Sequence, residues 1–167
     1  MLNGRKVPYT VKDEHIVIDT REVANGENRV TIEFTANDQS LNRRDEFLYT
    51  LLVPDRARTL FPCFDQPDMK SLFTLSLEVP SSWQAVTNGA VEQVDSTSVA
   101  RRKRISFRET EPLSTYLFSF VAGKLTRETY SRDGRNISIY HRETDPKKVA
   151  QCSDIASEVF DALEWQE

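Results

Sequence analysis

The sequence predicts a mainly β domain: an antiparallel β-sandwich or saddle-like domain of about nine short strands, followed by one C-terminal α-helix. Three observations lead there. Apolar and polar residues alternate with period two in several short segments, most cleanly at 29–35 and 71–79. Turn signals recur between these segments, the strongest being Asn88-Gly89 and Asp133-Gly134. After Asp145-Pro146 the apolar spacing changes to that of a helix.

Taken in order, 15–19 is a short apolar run, and 29–35 places Val30, Ile32 and Phe34 on one face of a strand. Residues 46–53 read as a longer strand, apolar on both faces towards its end. Segment 71–79 puts Phe73, Leu75, Leu77 and Val79 on one side. A strand over 83–87 meets Asn88-Gly89, and 90–94 reads as its return. Residues 104–108 alternate around Ile105 and Phe107, and 114–123 is apolar on both faces, which suits a central strand. Segments 125–130 and 136–141 flank Asp133-Gly134 as a hairpin. Asp145 then serves as N-cap, Pro146 as first helical residue, and Val149, Cys152, Ile155, Ala156, Val159, Ala162 and Leu163 recur at helical spacing. Trp165-Gln166-Glu167 carries no stop signal, so the helix reads as cut within a longer protein. The division expected is 1–144 as a β domain and 145–167 as the start of a further one.

Apolar residues make up 38% of the 167, enough for an ordinary core. The net charge of -4 gives no reason to expect nucleic acid or an anionic membrane as partner, and no apolar run is long enough to span a bilayer. Cys63 and Cys152 read as small buried hydrophobes rather than a disulfide framework. His15 and His141 stand far apart, no HExxH or CxxC occurs, and neither a nucleophile elbow nor a Gly-rich phosphate loop is present. Arg101 to Arg104 reads as a solvated hairpin or edge strand, and Asn136-Ile137-Ser138 is a glycosylation sequon by pattern. Catalytic and metal-ligating residues are therefore not expected in this chain.

The stretch 58–68, RTLFPCFDQPD, reads on physical grounds as a rigid corner. Pro62 and Pro67 stiffen the backbone on both sides of CFDQ. Phe61 and Phe64 are large enough to anchor it in a core, and Asp65 needs a partner such as Arg58 to be buried.

The same residues carry a resemblance. Arg58, Phe61-Pro62-Cys63-Phe64-Asp65-Gln66-Pro67, Lys70, Phe73, Trp83, Ala85 and Thr87-Asn88-Gly89 resemble the N-terminal domain of zinc aminopeptidases of the aminopeptidase N and leukotriene hydrolase family. Residues 112–123 are similar to that family's MSTYL strand, and HRETDPKKVAQ resembles the join into its catalytic domain. The resemblance implies a twisted antiparallel domain that packs on its own catalytic domain and walls the substrate cleft. It also implies a full-length protein that removes N-terminal amino acids from peptides with a zinc cofactor, the zinc ligands and the family's first strands lying outside this chain. By the same resemblance Leu51 and Val53 occupy the substrate-binding positions, where the family carries polar residues that hold the peptide's free amine. Valine cannot supply a charge-assisted hydrogen bond to an ammonium group. Either the parent holds the amine with catalytic-domain groups alone, or the register differs, or peptide trimming is modified. The alternative function is a peptide-binding or scaffold protein that keeps the fold without peptidase activity; HExxH downstream separates the two.

Overall fold

Short strands with one apolar face hide that face only by stacking sheet on sheet. The computed structural model describes residues 1–166, and among them thirteen short strands precede a helical C-terminus. The hairpin of β1 (Thr10–Lys12) and β2 (His15–Val17) is exposed, with Asp13 and Glu14 at φ 49° and 63° in its turn. A four-stranded antiparallel sheet joins β3 (Leu41–Arg44), β4 (Phe47–Thr50), β11 (Phe120–Gly123) and β7 (Gln84–Thr87), in that spatial order. A three-stranded sheet joins β6 (Ser76–Pro80), β9 (Arg102–Phe107) and β8 (Val91–Ser96). Two short pairs complete the β structure: β5 (Lys70–Ser71) with β10 (Leu113–Ser114), and β12 (Thr126–Arg132) with β13 (Arg135–His141).

The two larger sheets share one core. Ala85 and Ala122 from the first meet Val79, Ile105 and Phe107 from the second, flanked by Leu48, Leu77 and Trp83. A second cluster of Leu41, Leu52, Ala57, Leu60 and Phe118 lies under residues 57–65. Each fully buried Leu or Phe in these clusters contributes about 1.5–3 kcal/mol of transfer free energy.

The mainly β class and the C-terminal helix agree with the sequence, and several elements differ. Residues 29–35 form no strand: only Val30 bridges Leu2, and Val30, Ile32 and Phe34 remain 52%, 40% and 53% exposed. The alternation is present, but no further strand among the described residues lies alongside to complete a ladder. The strand expected over 46–53 pairs only at Phe47–Thr50, and 71–79 divides into β5 and β6 although Phe73, Leu75, Leu77 and Val79 do turn inward. Residues 114–123 divide around a 3-10 turn at Thr115–Leu117. Asn88-Gly89 is not a hairpin turn, because β7 pairs with β11 while β8 pairs with β9. The Asn88 side chain is instead captured by the strand connection opposite, donating to the Leu117 carbonyl at 3.2 Å and accepting from the Ser119 N–H at 2.8 Å.

Asp133-Gly134 does close a hairpin, with φ 49° and 78° at its two residues, the left-handed pair that a tight two-residue turn requires. The helix comes in two pieces, α1 (Pro146–Val149) and α2 (Cys152–Gln166), parted at Ala150-Gln151. The Asp145 carboxylate caps α1 by accepting from the Lys147 N–H at 2.9 Å. Cys152, Ala156 and Phe160 are the buried residues of α2, which packs on β12 and β13. Arg132 on β12 lies over the Phe160 ring at 4.9 Å and donates to Ser157 Oγ at 2.7 Å and to Asp161. Of the missing stop signal at 165–167, Glu167 lies outside the described residues.

Candidate functional site

Successive strand residues face opposite sides of a sheet, so residues that alternate with buried ones face outward together. Thr50 and Leu52 are buried at 7% and 2%, while Tyr49, Leu51 and Val53 are 40%, 49% and 52% exposed. The two sequence-predicted site residues, Leu51 and Val53, therefore continue an outward apolar row begun by Tyr49. Tyr49 lies opposite Val121, which in turn lies opposite Val86. Tyr49, Val86, Asn88, Ser119 and Val121 line a shallow cavity of about 270 Å³ on this face. Phe47, stacked parallel to Tyr49 at 6.2 Å and covered by Arg142 at 3.9 Å, extends the row in the other direction. Gly123 fits there because a Cβ would fall 2.6 Å from that of Phe47.

The row is held by the corner. Leu51 N–H donates to the Ser40 carbonyl at 2.9 Å, and Arg56 N–H donates to the Leu52 carbonyl at 2.8 Å. Ser40 Oγ in turn bonds the Arg56 carbonyl at 3.1 Å and Thr59 Oγ1 at 2.5 Å. Ala57 and Leu60 sink into the core, and Phe61 meets Phe118 edge-on at 6.0 Å. The expected anchoring role of Phe64 is corrected: its side chain is 68% exposed, and only its carbonyl is used, accepting from Thr115 Oγ1 at 2.8 Å. Pro62 and Pro67 set the local path, and that path turns the Phe64 ring away from the core.

The expected pairing of Asp65 with Arg58 is present. The Asp65 side chain is only 9% exposed; its Oδ2 accepts from the Arg58 backbone N–H at 3.0 Å and lies 3.6 Å from the guanidinium. Asp65 Oδ1 is buried and has no hydrogen-bond partner among the described residues. Arg58 also donates to Glu14 at 3.1 Å and to the Asp55 carbonyl, and bonds to these two residues raise its pKa above the ordinary arginine value. The reach of Glu14 from the β1–β2 turn leaves no local signal in the sequence. Asp65→Ala orphans the Arg58 N–H and is expected to cost about 1–3 kcal/mol, seen as a lower urea midpoint. An unchanged midpoint would remove Asp65 from the corner's support.

Cys63, beside Asp65, is only half-buried, a correction to the expectation of a buried thiol, whereas Cys152 is buried. Burial, with Asp65 adding to it, pushes the Cys63 thiol up to about 11, so the sulfur stays protonated and weakly nucleophilic at neutral pH. His15 Nδ1 lies 2.5 Å from its neighbour Asp13's carbonyl, and His141 Nδ1 accepts from the Glu143 N–H at 3.2 Å. Among the described residues no three His, Cys, Asp or Glu side chains gather where they could hold a metal ion, so the residues present do not fit a catalytic zinc. No helix among them is long and apolar enough to cross a membrane.

Comparison with known proteins places this geometry in a family. The chain is 38% identical over 96 residues to probable M1 family aminopeptidase 2 of Encephalitozoon cuniculi (strain GB-M1), covering 57% of this chain and 11% of that protein. It is 32% identical over 112 residues to glutamyl aminopeptidase of Rattus norvegicus, covering 66% and 12%. It is 31% identical over 153 residues to aminopeptidase M1-A of Oryza sativa subsp. japonica, covering 83% and 17%. The chain thus spans only 11% to 17% of the length of these relatives. The model of the Peptidase M1 N-terminal domain matches residues 5–117, a span that holds the corner, the row from Tyr49 to Val53 and the Asn88-Gly89 crossing, and the chain belongs to that family.

Proposed function

We propose that this chain is the non-catalytic N-terminal β domain of a zinc aminopeptidase, which in the full-length protein walls the substrate cleft and packs against the catalytic domain. The observation that carries this reading is the outward row of Tyr49, Leu51 and Val53, held on a sheet face by a corner buried through Ala57 and Leu60. A wall that contacts a peptide must be exposed and must also be rigid, and the row is both. Zinc would polarise the scissile carbonyl in the full-length protein, but the described residues offer it no fitting ligand set, so the contribution proposed for them is to shape the cleft and to exclude water. Residues 145–167 would begin the next domain, and Ile155, Val159 and Leu163, exposed at 50%, 41% and 39% along one side of α2, supply an apolar stripe for it.

The chemistry of Leu51 and Val53 sets the test. In the full-length protein Val53→Glu supplies the carboxylate that this position lacks for a peptide ammonium. Solvent screening at a half-exposed site leaves roughly a threefold to tenfold fall in KM for aminoacyl arylamides, with kcat changing less. Leu51→Arg is expected to raise KM by repelling the ammonium. Unchanged kinetics in both variants would overturn the wall reading. A full-length protein that binds peptides through this face but never cleaves them would establish the scaffold alternative, which the apolar character of Leu51 and Val53 favours.

A further inference from the structure

The hairpin of β12 and β13 touches the outward row at its open end and the helix at its closed end. Each strand has 7 residues, paired without interruption from Thr126 opposite His141 to Arg132 opposite Arg135. At the closed end Arg132 reaches α2, over Phe160 and onto Ser157. At the open end the residues just outside the ladder straddle the start of β4. Lys124 N–H donates to the Glu46 carbonyl at 2.9 Å, and Lys124 Nζ donates to Glu46 Oε1 at 2.6 Å. The Lys124 bond holds the Glu46 carboxyl below the ordinary carboxylate range, and the Arg142 charge adds to it. Arg142 lies over the Phe47 ring at 3.9 Å, close enough for a guanidinium to stack on an aromatic face. Phe47 in turn stacks on Tyr49.

We infer that Arg142 is a positioning residue for peptide binding: through Phe47 and Tyr49 it fixes where the outward row stands relative to the domain proposed to begin at 145, a role that presupposes the cleft wall proposed above. Only Glu143 and Thr144 separate Arg142 from Asp145, and neither is slack. Glu143 N–H donates to His141 Nδ1 at 3.2 Å. Glu143 Oε1 accepts from Thr144 N–H at 2.9 Å and from Asp145 N–H at 3.0 Å. The Asp145 carboxylate then caps α1. Each backbone N–H from 143 to 145 is held by a side chain within two residues of it, so this stretch is a stiff joint rather than a flexible linker. Whatever holds α1 and α2 in place therefore holds Arg142, and the ring contact passes that position on to β4. A guanidinium offers the ring both a flat face and a cation, whereas lysine offers the cation alone. Arg142 need not touch the peptide; it decides where Phe47 and Tyr49 meet it. Displacing such a wall weakens substrate binding more than it slows the chemistry of bound substrate.

Kinetics of the full-length protein test this, with an unblocked peptide of about eight residues, long enough at ~3.3 Å per residue to run from Val53 to Phe47. Arg142→Ala is expected to raise KM roughly twofold to fivefold with kcat nearly unchanged. Arg142→Met keeps the apolar stem but loses the cation, and is expected to do the same. Arg142→Lys keeps the cation and is expected to fall between these variants and the wild type. Phe47→Leu removes the ring, so adding Arg142→Ala to it is expected to leave KM where Phe47→Leu alone puts it. Unchanged KM in Arg142→Ala and Arg142→Met, effects that add in the double variant, or an Arg142→Lys no better than Arg142→Met would each overturn the inference. Val53→Glu and Leu51→Arg keep two failures apart. A KM that shifts with these but not with Arg142→Ala overturns the role of Arg142 alone; a KM that shifts with none of the three overturns the wall reading as well.

Discussion

Phe118→Ala is expected to lower the unfolding free energy by about 3–5 kcal/mol. Phe118 is 6% exposed and stands at the centre of the second core cluster. Its ring stacks on Phe73 at 4.5 Å and 13°, meets Phe61 edge-on at 6.0 Å, and lies 6.4 Å from Phe120. These neighbours come from three parts of the chain: the corner, the lead-in to β6, and β11. Truncation therefore leaves a cavity whose walls belong to separate elements and cannot collapse together. Against a typical total of about 5–15 kcal/mol, the loss removes a large share of stability. Urea denaturation at constant m-value is the measurement; a loss below about 1 kcal/mol would mean that Phe118 does not hold the corner to the sheets.

Gly89→Ala is the second large effect, expected at about 3 kcal/mol. A Cβ at Gly89 would overlap the carbonyl oxygen of Arg108, a backbone atom that cannot swing aside as a flexible side chain would. Arg108 N–H donates to the Ala90 carbonyl at 2.9 Å, so moving β9 away also strains the pairing that begins β8. The glycine is required here for close backbone approach, since its φ is not in the left-handed region. A midpoint within experimental error of wild type would show that the crossing between the two sheets is slack.

The distinction between these two sites and the Asp133-Gly134 hairpin shows which parts of the fold are legible in the sequence. At Asp133-Gly134 the dipeptide, the flanking alternation and the pairing all lie within a few residues, so local chemistry decides the outcome. Asn88-Gly89 carries the same kind of signal, but residues far along the chain overrule it: Leu117 and Ser119 take the Asn88 side chain, and β11 takes β7. The 29–35 segment shows the converse, a clear strand pattern that among the described residues makes only the single bridge of Val30 to Leu2. Its period is a property of the sequence, whereas its ladder depends on a partner. The corner was legible as stiff from its prolines and as charge-paired from Arg58 and Asp65. Which phenylalanine it buries was not, because that depends on where the path places each ring relative to Phe118. Leu51 and Val53 read in the sequence as part of an apolar run, and are singled out only by the family resemblance. Their outward direction follows from the burial of Leu52, a consequence of packing rather than of composition.

In the proposed function the apolar row and its braced corner form one side of a peptide cleft whose chemistry is supplied elsewhere. Hydrolysis of aminoacyl arylamides, measured with zinc for the full-length protein and for residues 1–167 alone, addresses that most directly. Turnover by the full-length protein and none by the isolated chain is the predicted result. Turnover by a clean preparation of the chain itself, or a full-length protein inert towards every arylamide, would contradict it.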